Sequence, residues 1–146
     1  MDRTRSKLTR AISTITLLAT LAACGGPLRY QVQSSQRAPG ADAEVVAHVN
    51  AGQNNTRLEV RASNLPPASR LVTNGTVFMV WQRRNGSTPW ARVGSLAYVD
   101  GSRTGELRDT TVPETSFEVQ ITAEVDANVG SPSTNVVFSQ PVNRQQ

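Results

Sequence analysis

The apolar positions of this chain fall into short runs separated by polar turns, and their dominant period is two. Residues 116–125 alternate most regularly. Phe117, Val119, Ile121, Ala123 and Val125 share one face, and Glu118, Gln120, Thr122 and Glu124 share the other. Residues 56–62 repeat the pattern, with Leu58, Val60 and Ala62 opposed to Arg57, Glu59 and Arg61. Val77-Phe78-Met79-Val80-Trp81, within residues 76–81, is a continuous apolar run, as expected of a central strand covered on both sides. Residues 44–49 are apolar and rich in β-branched side chains. Residues 90–99 read as a strand interrupted at Gly94, residues 104–107 as a short edge strand, and residues 135–142 as the last. The pattern thus predicts seven strands.

Turn chemistry separates them. Residues 52–55, 64–67 and 130–132, and the pairs Asn74-Gly75, Asn85-Gly86 and Asp100-Gly101, supply positive φ or a fixed φ. Asn85-Gly86 after a strand is a hairpin signal. No window of 11 residues beyond position 24 keeps a helical period. The expected fold class is all-β: an antiparallel β-sandwich of immunoglobulin-like or fibronectin-like size over residues 44–146. Cys24 is the single cysteine, so the inter-sheet disulfide of antibody domains is excluded. Trp81 is expected to fill that core space instead.

The first 43 residues carry a different pattern. Arg3, Arg5, Lys7 and Arg10 precede an apolar stretch over residues 11–23. A stretch of about 13 residues suits the apolar region of an export signal and is too short to span a bilayer. It closes on Leu21-Ala22-Ala23-Cys24. An apolar residue, two small ones and a cysteine resemble the lipobox of bacterial lipoproteins. The resemblance implies cleavage before Cys24 and lipid on its thiol, with residues 1–23 as the signal peptide. It also explains an exported chain with one unpaired cysteine. Position 25 is Gly rather than Asp, which resembles the outer-membrane class of such lipoproteins. The expected location is the bacterial cell envelope, lipid-anchored at the outer membrane. Residues 24–43 hold Gly25-Gly26-Pro27, Gln, Ser, Pro39 and Gly40 and read as the lipidated Cys plus a flexible tether. A short strand through Leu28, Tyr30 and Val32 is the alternative within it.

Charge changes the picture once this leader is set aside. The formal net charge is +4, but four of the 15 basic residues and one of the 11 acidic ones lie in the first ten positions. From Cys24 onward the arginines are scattered among acids, without the basic stripe that nucleic acid requires. No nucleic-acid partner is expected. The expected contacts are the membrane, through Cys24, and an envelope protein.

A second resemblance covers about residues 77–142. Val80-Trp81, Val93-Gly94-Ser95-Leu96, the run from Phe117 to Glu124, Ser131-Pro132-Ser133 and Val136-Val137-Phe138 look like the extracytoplasmic C-terminal domain of the anti-sigma-K factor family. The resemblance implies a β-sandwich. It does not bring sigma binding, because the family's zinc-binding helical domain and membrane-spanning helix have no counterpart in this sequence.

Catalytic chemistry finds little to work with. His48 is the only histidine, so a zinc site of three or four His or Cys ligands cannot be assembled. No G-x-S-x-G elbow or D-x-D-x-D-G calcium loop is present, and Lys7, the only lysine, belongs to the leader. Glu118 and Glu124 share a strand face but stand about 20 Å apart, too far for a glycosidase pair. The expectation is a non-enzyme without cofactor or metal. Two functional classes remain. One is a lipid-anchored module for protein interaction or envelope structure. The other is a small-ligand or glycan-binding module that uses Trp90, Arg92 and Asn85, with Trp90 capping the sandwich as the competing role.

Overall fold

The computed structural model describes residues 26–143. Nine strands and one helical turn follow in order: β1 Leu28–Gln33, β2 Asp42–Asn50, β3 Asn55–Ser63, α1 Ala68–Leu71, β4 Val77–Arg83, β5 Ala91–Ser95, β6 Ala97–Val99, β7 Thr104–Val112, β8 Phe117–Glu124 and β9 Val136–Val142. They form two antiparallel sheets, β1-β2-β3-β7-β6 and β5-β4-β8-β9. The sheets pack face to face as an all-β sandwich. The inward positions are those that the period of two selects: Ala43, Val45 and Ala47 on β2, Leu58, Val60 and Ala62 on β3, Phe78 and Val80 on β4, and Phe117, Val119, Ile121 and Ala123 on β8. Burying each Val, Leu, Ile or Phe among them contributes roughly 1.5–3 kcal/mol.

The strand count rises from seven to nine for two reasons. The first lies in the stretch read as a tether. Leu28, Tyr30 and Val32 alternate with Arg29, Gln31 and Gln33, and this segment pairs in register with Asp42 to Ala47 as β1. The chain after it packs inward as well, with Ala38 and Ala41 buried in the core. Ser35 ties this loop to the other sheet by donating from its backbone to Val137 O (2.8 Å) and from Oγ to Val136 O (2.7 Å). Among the described residues, only Gly26 and Pro27 therefore precede the sheet.

The second reason is that residues 90–99 divide between the sheets, with the break at Leu96 rather than at Gly94, which lies within β5. β5 pairs with β4, whereas β6 pairs with β7. Leu96 is the crossing point: its N–H donates to Phe78 O (2.9 Å) and its side chain is buried. A Cβ at Gly94 would lie 3.1 Å from Leu107 Cδ1, so the small residue permits the close approach at this corner.

Residues 104–107 also differ from expectation. They begin a nine-residue strand, β7, that lies between β3 and β6 rather than at an edge. Arg108-Asp109-Thr110-Thr111 hides the apolar period. Asp109 adopts φ 50° where the β3–β7 register shifts between Leu58 and Val60, as in a β-bulge. The predicted turn residues Asn54, Asn64 and Asn74 take φ of 50°, 54° and 59°, the left-handed region that asparagine tolerates.

Candidate functional site

Residues on β4 point alternately to the core and to the outer face of its sheet. Val77, Met79, Trp81 and Arg83 share the outer face, opposite Glu124, Thr122, Gln120 and Glu118 of β8. Trp81 does not fill the space between the sheets, as the sequence led us to expect. It lies outside the main core cluster, yet both Trp81 and Met79 are fully buried.

The cover is the β8–β9 connection. Ser133 N–H donates to Glu124 Oε1 (2.9 Å), and Arg92 of β5 donates to Val129 O. Arg92 belongs to β5, beyond β4 from β8 and β9, so the contact between its side chain and Val129 spans the outer face of β4. Beneath it runs a buried polar relay. Trp81 Nε1 donates to Thr122 Oγ1 (2.9 Å), whose hydroxyl donates to Glu124 Oε1 (2.6 Å). The relay satisfies the indole donor and supplies the buried carboxylate with two donors, which is what burial of such groups demands.

The outer face opens beyond this cover. The Arg83 guanidinium stands 4.4 Å from the centre of the Trp90 ring, and its Nε donates to Glu118 Oε2 (2.6 Å). The Arg92 guanidinium lies 5.9 Å from the Trp81 ring. Two tryptophans and two arginines thus share one face, in cation–π pairs that contribute about 0.5–1 kcal/mol each where exposed. Trp90 is half-buried and Arg92 exposed. Asn85 stands apart, in the β4–β5 hairpin. Its Oδ1 accepts from Ser87 N–H (3.0 Å) and its carbonyl from Thr88, an Asx turn. The structure therefore places Trp90 and Arg92 on one sheet face and assigns Asn85 to a turn. The Arg83–Glu118 pair and the burial of Thr122 and Glu124 escaped the sequence reading, which took Glu118, Gln120 and Glu124 as solvated positions.

A second feature lies at one end of the sandwich. An open groove of about 480 Å³ runs between Gly26-Pro27 and the β2–β3 hairpin, lined by His48, Asn50, Ala51 and Arg57. His48 Nε2 approaches Glu59 Oε1 at 3.7 Å. Among the described residues, no three His, Cys, Asp or Glu side chains converge to hold a metal ion. No described helix is long and apolar enough to cross a membrane. Cys24 lies outside the described residues. Compared with protein-family models, curated proteins and solved structures, the chain finds no match.

Proposed function

We propose that this chain is an exported lipoprotein of the bacterial cell envelope. Residues 1–23 act as its signal peptide, Cys24 carries the lipid, and a non-catalytic sandwich mediates protein interaction or envelope structure. One positional observation carries the reading. Among the described residues, the first strand starts at Leu28, and every buried core residue lies at or beyond Val32. Cleavage before Cys24 would remove no part of the described fold. Strand order supports an immunoglobulin-like reading: β2-β3-β7-β6 facing β5-β4-β8-β9 corresponds to A-B-E-D facing C-F-G, with β5 added beside C and β1 beside A. The anti-sigma-K-like segment is read as a shared scaffold only. The outer-membrane assignment rests on Gly25.

Mass spectrometry of the protein from its host, with membrane fractionation, tests the anchor. The expected product lacks residues 1–23, carries an acyl mass on Cys24 and sediments with membranes; Cys24→Ala moves it to the soluble fraction. An unmodified soluble chain that starts at Met1 overturns the reading.

The half-exposed Trp90 ring favours a second reading, a small-ligand or glycan module on Trp90 and Arg92 with Asn85 nearby. Acrylamide quenching of Trp90 that glycans leave unchanged across a panel would remove it.

A further inference from the structure

The structure points to one end of the sandwich as a bilayer-facing surface, an inference that rests on lipid attachment at Cys24. Leu28 follows Cys24 by four positions, a step that reaches at most about 14 Å when fully extended. A freely swinging domain needs a longer tether than that. We therefore propose that the anchored sandwich is held with the end where β1 begins against the headgroups.

Register identifies this end. Leu28 pairs with Ala47, close to the β2–β3 hairpin, and Gly26-Pro27 lie along the same groove as Ala51 and Asn55. Thr56, at the start of β3, donates from Oγ1 to Glu114 O (2.7 Å), which brings the β7–β8 connection to this end. Arg84, at the start of the β4–β5 hairpin, pairs with Glu114 at 3.0 Å. The hairpin leads to Trp90.

The chemistry of the end fits neutral headgroups. Its hairpin is Asn50-Ala51-Gly52-Gln53-Asn54-Asn55, rich in amides and without charge. The nearby cations have carboxylate partners: Arg84 with Glu114, Arg83 with Glu118 at 2.6 Å, and Arg57 with Asp109 at 3.9 Å. Among the described residues charge at this end is balanced, so their attraction to anionic lipid is weak. Trp90 has the apolar body and polar tip that suit a membrane–water interface. The opposite end, formed by residues 34–41, 64–76 and 125–135, faces away from the bilayer and is left for a partner.

Single cysteines test the orientation in the mature, acylated protein. Ala51→Cys places a thiol-reactive fluorophore in the β2–β3 hairpin. Gln36→Cys places one at the far end, where Gln33 pairs with Asp42. Both native residues are exposed. The protein is reconstituted into phosphatidylcholine vesicles bearing nitroxide headgroups. β2 alone separates the two ends by about 27 Å, so quenching at position 51 should exceed that at position 36 at least about threefold. Equal quenching, or stronger quenching at position 36, in protein that carries the acyl mass and floats with vesicles, overturns the orientation and leaves the anchor standing. Absence of both the acyl mass and flotation overturns the anchor, and the orientation with it.

Discussion

Thr122→Val isolates the buried relay without opening a cavity. Valine keeps the branched shape of threonine, so the effect reports the hydroxyl. That hydroxyl accepts from Trp81 Nε1 and donates to Glu124 Oε1, and Thr122 and Trp81 are both fully buried. The variant leaves the indole N–H unpartnered, which costs roughly 1–3 kcal/mol. It also takes one of two donors from the Glu124 carboxylate, where Ser133 N–H remains. The expected loss is about 3 kcal/mol in all. Unfolding entropy near 2.1 cal/mol/K per residue over the described domain converts this to a fall in Tm of about 12 °C. Circular dichroism melts at neutral pH measure it. Thr111→Val, at an exposed position of β7, is the control, with an expected change within about 0.5 kcal/mol. In a double-mutant cycle with Trp81→Phe, which deletes the same donor, the two losses should combine by about 1–2 kcal/mol less than their sum. A Thr122→Val melt within about 2 °C of the control, with additive losses in the cycle, would refute the relay.

Arg92→Ala removes the hydrogen bond to Val129 O and should raise acrylamide quenching of Trp81, read in a Trp90→Phe background; unchanged quenching argues that Arg92 does not hold the cover. Gly75→Ala should cost about 2–3 kcal/mol by urea denaturation, since a Cβ there would sit 2.7 Å from the Ala68 carbonyl carbon of α1. Burial, and secondarily the Asp100 carboxylate, raise the Tyr98 phenol above its usual pKa. The folded state therefore favours neutral Tyr98, and its contribution holds below about pH 10 and is lost as pH rises through the raised value. An alkaline titration of stability should be less steep for Tyr98→Phe, although this variant also loses the bond to Leu65 O (2.9 Å).

How far the fold was legible depends on what each residue had to reveal. β3 and β8 bury one face toward the core, and their inward sets can be read directly from a period of two. At β8 the same logic fails on the outer side. Glu124 is polar and reads as solvated, yet it and Thr122 are buried, and the β8–β9 connection reaches Glu124 through Ser133 N–H. That contact is a tertiary event with no local signal beyond the apolar outer positions Met79 and Trp81. The continuous run at residues 77–81 did mark a strand covered on both sides. It could not say that the second cover is a loop. Val125 shows the converse: it continues the apolar period but lies past the end of β8 and is 49% exposed. Of the candidate site, Trp90 immediately precedes β5 and Arg92 lies within it, and a spacing of two in extended chain puts both on one face. The Arg83 stack on Trp90 depended on the β4–β5 register, which the bulge between Val80 and Trp81 shifts by one residue.

The tether matters most for function. Glutamine, serine and glycine gave residues 25–42 a linker's composition, yet three alternating apolar positions were enough for β1 because an edge strand needs only one buried face. Tyr30 then secures the seam: its hydroxyl donates to Asn143 O (3.1 Å) and accepts from Asn143 N–H (3.2 Å) on the chain leaving β9. Composition averages over both faces of a strand and so under-reports such a segment, whereas pairing depends on only one. Shortening the free segment from about 17 residues to four changes what an anchor at Cys24 can do. A long coil would leave the domain's orientation to chance. If Cys24 carries the proposed lipid, a link that reaches at most about 14 Å makes the end where β1 begins the membrane side.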